Sequence, residues 1–499
     1  MQHPLLRGRA FATLLAVFMT TFLHMANADT APPRLSVAPP PAGVAANPDY
    51  TVRVRAPGGE WQDVFAYRVL VVKEFRGNDR GHDDHVASAA SVALFDFRGK
   101  VEIEVQVAYI IPKTVTVRPA SRNVSAQIAN GSVRFALDKP AKLVIAVNGD
   151  KARELHLFAS APDDSAPTRG TTGVTYFGPG LHELDPFEYK VKSNETVYLA
   201  PGAVVRGQFT LDHVNNSAIR GRGVIDHVNR FTPGGRRPSN GIRMDFCRDI
   251  TIEGVTILDS VGYHIGLGAC ENVSISNTNS FSVSQWADGI DAMSCTRLNI
   301  KNVFIRSSDD AIALYAGRWM FSGNSTEITV SDSIFWADVA HPIFVGVHGT
   351  PGKNEVISDV RFSKIDILEH HQPGPGYQGC LAINSGDGVT VRNVTFEHIR
   401  IEPITLGQLV NVQVFMNGAY NTEPGRAVEN IVFRDVRYSG TDRPKSEIHG
   451  FDAERKVKNV LFDHVVIGDQ IVTDAASMNL EVGPFVENIK FHGSASPTR

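Results

Sequence analysis

Cysteine is scarce in this chain. Only Cys247, Cys270, Cys295 and Cys380 occur among 499 residues. No His/Cys cluster has zinc-ligand spacing, so a structural zinc site is not expected. The first three cysteines share a register, each three residues before an apolar position (Ile250, Val273, Leu298). Stacked in one column, they read as buried free thiols; a disulfide is the alternative, and connectivity is not readable from sequence. Net basic charge is also lacking. The formal net charge is −4, and no basic patch of the kind that marks a nucleic-acid binder stands out. Long amphipathic helical periodicity is hard to find, while glycine is plentiful, which argues for strands and turns. Beyond the first thirty residues no apolar run is long enough to cross a bilayer.

What is present begins with Arg7 and Arg9, an apolar run from Ala10 to Phe22, and the small-x-small site Ala26-Asn27-Ala28. This pattern reads as a secretory signal peptide over 1–28. The run is short for a membrane anchor, the alternative reading. A secreted or periplasmic protein is expected. Residues 29–165 alternate in short β-type runs, such as Phe65 to Val72 and Lys142 to Val147, punctuated by turns such as Asn148-Gly149-Asp150. They predict an N-terminal antiparallel β-sandwich. Its polar stretch around His82, Asp83, Asp84 and His85 reads as a solvated loop rather than a metal site.

Ser160 to Gly173 is rich in turn formers and reads as a linker. Beyond it a unit recurs: Ile250-Thr251-Ile252, Val273-Ser274-Ile275, Leu298-Asn299-Ile300, Ile328-Thr329-Val330, Val360-Arg361-Phe362, Val394-Thr395-Phe396, Ile431-Val432-Phe433, Val460-Leu461-Phe462 and Ile489-Lys490-Phe491. Spacing starts near 23 residues and lengthens where loops are inserted. No single unit can bury its apolar face, but stacked units bury a continuous core. A leucine-rich repeat is excluded by the missing Leu-x-x-Leu-x-Leu pattern. The fold class expected for 166–499 is therefore a parallel β-helix, and the whole chain is expected to be all-β.

One stretch carries chemistry. Asp288-Gly289-Ile290-Asp291 and Asp309-Asp310-Ala311-Ile312 superpose at an offset of 22 residues, with Asp288 on Asp310 and Ile290 on Ile312. Successive coils lie about 4.8 Å apart, so Asp288, Asp309 and Asp310 converge on one face. Crowded like charges raise at least one carboxyl pKa, leaving one acid protonated beside ionised neighbours. Glycosidic bond hydrolysis uses such a set: an acid for the leaving oxygen and a base for water. A ladder of turn-capping aspartates is the structural alternative. Insertions at 229–240, 316–325, 345–357 and 369–379 bring Arg318, Trp319, His348, Lys353, His370, His371 and Tyr377. Aromatics beside carboxylates suit sugar rings, and Trp286 and Tyr315 flank the two aspartate motifs. No cofactor is called for.

Together with Gly262-Tyr263-His264-Ile265 and Cys270-Glu271-Asn272-Val273, these motifs resemble the right-handed β-helix glycoside hydrolase clan. Its two families are the dextranases and isopullulanases (family 49) and the polygalacturonases (family 28). The N-terminal sandwich and the stretch from Ser333 to Pro351 resemble the former more closely. The resemblance implies a right-handed solenoid with a catalytic acid at Asp309. It implies that Asp288 and Asp310 hold the attacking water, in an inverting reaction. His341 falls where polygalacturonases have a histidine, but between Ala340 and Pro342. The Arg-Ile-Lys with which polygalacturonases grip a uronate falls near Leu381-Ala382-Ile383-Asn384, where both basic residues are missing. The expected substrate is thus a neutral polysaccharide, dextran- or pullulan-like. Trp286, Tyr315, Trp319, His341, His348 and Lys353 are the candidate substrate contacts. A pectin hydrolase, a β-helix polysaccharide lyase (with which clustered aspartates would hold calcium) and a non-catalytic glycan binder are the rival readings.

Overall fold

The computed structural model describes residues 32–75, 85–227, 240–374, 376–377 and 379–493. The signal-peptide reading, His82, Asp83, Asp84 and most of the 229–240 insertion lie outside the described residues. Among the described residues no helix is long and apolar enough to cross a membrane.

The chain is nearly all β. The N-terminal unit is a sandwich. One sheet is built on Ala66–Phe75, His85–Arg98, Ala141–Val147 and Leu155–Ser160. The other is built on Tyr50–Arg55, Val101–Val107 and Ser132–Leu137. Alternation places Val52, Val54, Ile103, Val105, Val133, Leu143, Ile145 and Leu157 in the space between them. The pairing is not purely antiparallel, because Leu155–Ser160 runs parallel to His85–Arg98. The chain crosses to the second sheet and back twice between these two strands, the long excursion that a parallel pair requires. The sandwich's last strand ends at Ser160, and the next strand, Val174–Phe177, opens the solenoid.

The solenoid is a right-handed parallel β-helix with three faces. Twelve strands from Val174–Phe177 to Val486–His492 form the first, and the other two join along one continuous network of pairs, all parallel except Val466–Ile467 with Gln470–Ile471. All nine apolar triplets lie on the first face in direct register, from Ile250 on Val273 to Val460 on Ile489. Their phenylalanines stack: Phe362, Phe396, Phe433, Phe462 and Phe491 succeed one another at 5.0–5.2 Å with rings within 13° of parallel. That spacing is the inter-strand distance itself. The residue before each of the nine triplets turns the chain in the left-handed conformation, which asparagine and aspartate tolerate best. Asp359, Asn393, Asn430, Asn459 and Asn488 hold it there. These five are linked side chain to side chain at 2.7–3.1 Å along the outside of the coil. Cys247, Cys270 and Cys295 are free and buried beneath the neighbouring turn.

The sandwich docks on the second face. Val69, Val71, Val92 and Phe158 share an apolar cluster with Phe281, Phe304, Ile334 and Trp336. Arg306 pins the junction. It gives Nη1 to Glu154 at 2.8 Å and two nitrogens to Asp338 at 2.9 and 3.0 Å. It is 1% exposed, its guanidinium lying 4.1 Å from the Trp336 ring centre.

Candidate active site

The third face is built from short strands that each come after a turn. Asp288 stands two residues before the strand Ile290–Met293, Asp310 two before Ile312–Tyr315 and His341 two before Ile343–Gly346. The strands pair in register, Ile290 on Ile312, so Asp288, Asp310 and His341 form a column on three successive coils. Backbone bonds tie it: Gly289 N donates to Asp310 O at 2.8 Å, and Ala311 N to His341 O at 2.8 Å. Gly289 is required by proximity. A Cβ there would sit 2.2 Å from the carbonyl oxygen of Ala311. The Asp-Gly pair is therefore a packing device of the coil as well as a turn.

Asp309 is offset from the column. Its Oδ1 accepts from the Asp310 N–H at 3.0 Å, and its carbonyl accepts from Ser307 Oγ at 2.7 Å. It is half-buried, whereas Asp288 and Asp310 are buried. All three carboxylates line one cavity of about 750 Å³. Burial, and then the neighbouring carboxylates, hold Asp288 well above the usual carboxylate range. Burial and the Asp310 charge do the same for Asp309. Asp291, buried beneath Arg318 and Tyr263, is pushed up to about 7 by burial, against the pull of Arg318.

His341 does not line this cavity. It is fully buried. Its Nδ1 lies 2.6 Å from Asp310 Oδ1, its backbone N–H donates to the same oxygen at 3.0 Å, and its Nε2 lies 2.8 Å from the carbonyl of Tyr377. A carbonyl only accepts, so Nε2 carries a proton, and one further proton lies between Nδ1 and the carboxylate. His341 therefore orients Asp310 and has no route to a sugar. Lys353 is exposed at the tip of its insertion and is not among the lining residues. The base of that insertion is pinned instead. Glu355 accepts from Ser322 Oγ, Gly323 N and Thr350 N, each at 2.7 Å, which locks the 316–325 and 345–357 insertions together.

The other candidates reach this cavity or the hollow beside it. Trp286, Tyr315 and His348 line it. Trp319 lines an adjoining hollow of about 980 Å³ that shares Tyr263, Gln285 and Trp286 with the first. The lining of this hollow includes Gly266 and Gly268, and the Phe321 ring packs directly on Gly268. Trp286 is 51% and Trp319 70% exposed. Burial and the charge of Arg318 push His348 down to about 3, so it is neutral.

Arg318 has a larger place in the site than its loop position indicated. Its Nη1 donates to Tyr263 Oη at 2.8 Å and lies 3.5 Å from Asp291 Oδ2. Its guanidinium stacks on Tyr315 at 5.0 Å and Trp319 at 4.7 Å. Tyr377, Tyr420 and, from the sandwich, Phe75 and His85 complete the walls. Tyr263 belongs to the Gly-Tyr-His-Ile motif and Tyr377 to an insertion. Tyr420 and Phe75 carry no sequence signal, because long-range packing alone brings them here. The strand Gly379–Ser385 is buried throughout. Among the described residues no group of His, Cys, Asp and Glu is arranged to hold a metal ion.

Residues 186–480 match the model of glycosyl hydrolases family 28. The chain belongs to this family. Of the two families that its motifs resemble, this is the one whose model matches. A probable endopolygalacturonase D of Neosartorya fischeri is 25% identical to this family 28 chain over 233 residues, 46% of it and 43% of that relative. A polygalacturonase of Chamaecyparis obtusa is 27% identical over 209 residues, 40% of this chain and 37% of its own. The chain thus spans less than half the length of the curated relatives it matches. Dex49A from Penicillium minioluteum superposes with a TM-score of 0.64 at 15% identity, covering 90% of this chain and 96% of that one. That likeness is one of fold, and it takes in the sandwich as well as the solenoid.

Proposed function

We propose that this family 28 chain is an inverting glycoside hydrolase acting on a neutral polysaccharide. The observation that carries the reading is the convergence of Asp288, Asp309 and Asp310, from two adjacent coils, on one open cavity walled by aromatics. Asp309, kept protonated by burial and by Asp310, donates its proton to the glycosidic oxygen. Asp310, oriented by His341, takes the proton of a water that attacks the opposite face of the sugar, and Asp288, which holds its own proton more tightly than a carboxyl usually does, positions that water. That geometry uses a separation of roughly 6.5–9.5 Å between acid and base. Proton transfer of this kind contributes about 10²–10⁴-fold in rate. Neutral rather than acidic glycan is supported by charge. Arg318 is the one lysine or arginine among the described residues lining the cavity, and it already faces Asp291. A uronate there would meet more carboxylates than cations.

A pectic substrate is the second reading. The names of the sequence relatives favour it, and Arg318 is the group to which a uronate would turn. The arginine-bearing, apolar N-terminus supports export from the cytoplasm. The test is reducing-end release from dextran, pullulan and polygalacturonate, with the anomer of the first product read by NMR. Cleavage of a neutral glycan with inversion is expected. Cleavage of polygalacturonate alone moves the assignment to pectin. A product absorbing in the ultraviolet, lost with chelator, would make the protein a lyase. Binding without new reducing ends would refute catalysis.

A further inference from the structure

The sandwich reaches into the cavity that holds the three aspartates. Its strands Ala66–Phe75 and His85–Arg98 pair antiparallel and are its longest, at 10 and 14 residues. Strands of this length run well past the usual five or six. Near their far end the pairing slips between Val72 and Glu74. Such a bulge bends a strand and re-aims the side chains beyond it. Phe75 lies just past the bulge, and with His85 it lines the cavity beside Asp288, Asp309 and Asp310.

Both residues are held in place. His85 Nδ1 lies 3.0 Å from the carbonyl of Val283, in the turn that leads to Asp288. Phe75 meets the His371 ring edge-on at 5.8 Å and 90°, and the His85 ring at 5.5 Å. Further back, Leu70 N donates to Asp259 Oδ1 of the solenoid at 2.7 Å. Val69 and Val71 belong to the apolar cluster shared with Phe281 and Phe304. The pair of strands is thus fastened to the coils at its middle and at its far end. Phe75 and His85 are nonetheless only half-buried, so their open sides face the cavity.

We propose that Phe75 and His85 form part of the wall of a sugar-binding subsite next to the scissile bond, so that the N-terminal sandwich helps set substrate affinity. The ligand is one sugar residue of the polysaccharide, its C–H face on the Phe75 ring. This inference rests on the hydrolase reading above.

The test uses the full-length protein and hexasaccharides prepared from whichever of dextran, pullulan and polygalacturonate the wild type cleaves. Phe75→Ala is expected to raise KM about tenfold while kcat stays within about twofold. His85→Ala is expected to shift KM in the same direction. Phe75→Leu keeps apolar bulk against His371, so its melting temperature should match wild type while KM stays raised. An unchanged KM in Phe75→Ala overturns the proposal. So does a Phe75→Leu variant that restores KM along with stability, because the phenyl ring would then be only packing. Wild type inactive on all three polymers refutes the hydrolase reading and this inference with it. Wild-type activity with indifferent variants refutes this inference alone.

Discussion

Replacing His341 by alanine separates its two structural roles. The imidazole makes a hydrogen bond of 2.6 Å to Asp310 and another of 2.8 Å to the Tyr377 carbonyl. It stacks on Phe344 at 4.5 Å and 11°, and meets Tyr377 edge-on at 4.7 Å. A bond to a charged group contributes about 1.5–3 kcal/mol, and each ring contact about 0.5–1.5 kcal/mol. These terms do not add fully, so the variant should lose about 3–5 kcal/mol of stability, read as a fall in the urea midpoint. Asp310 also loses its orienting partner, and kcat should fall about 10²-fold, equivalent to about 2.7 kcal/mol at the barrier. His341→Asn retains an N–H near the position of Nδ1 and should recover much of kcat but little of the ring packing. Rates are compared at a temperature where circular dichroism shows each variant folded. If folded His341→Ala turns over within twofold of wild type, the histidine is only core packing and the orienting role is wrong.

Asp291 gives a test of the buried charges by pH. Its folded-state value of about 7 lies above the ordinary 3.8. Folding therefore takes up a proton between those limits. Stability from this group is complete below about 3.8 and declines as pH rises to about 7, by up to about 4 kcal/mol. Asp291→Asn should flatten the rise in urea midpoint between pH 8 and pH 4. Asp309 is also held above the usual range, so the alkaline limb of kcat/KM should lie higher than about 4, the ordinary carboxylate value, and Asp309→Asn should abolish that limb. Arg306→Met leaves Glu154 and Asp338 buried without their cation; breaking such a pair costs about 3–5 kcal/mol, measurable by calorimetry. Phe433→Ala opens a hole in the middle of the phenylalanine stack and should cost about 3–5 kcal/mol.

Much of this architecture is legible in the chain because a solenoid repeats itself. Ile250 to Phe491 announces nine coils through alternation alone, and register comes from the spacing. Asp288 superposes on Asp310 in sequence and in space for the same reason. The cysteines align because each precedes a triplet at one fixed offset. The remainder of the site does not repeat. Arg318 sits on an insertion whose path depends on contacts such as those of Glu355, which no periodicity encodes, and Tyr420 reaches the site through long-range packing alone. Lys353 sits in the same kind of loop as Trp319, yet it projects away. Phe75 comes from another domain and arrives only through docking. His341 is visible as a position in the sequence, but its burial results from Phe344 and Tyr377 closing over it.

Asp309→Asn, assayed for reducing-end release on the polymer that the wild type cleaves, addresses the carboxylate assignment most directly. The exchange keeps the size and the oxygen that accepts from the Asp310 N–H but cannot deliver a proton to the leaving oxygen. Turnover should fall about 10²–10⁴-fold with an unchanged melting temperature. Turnover near the wild-type rate would contradict the account.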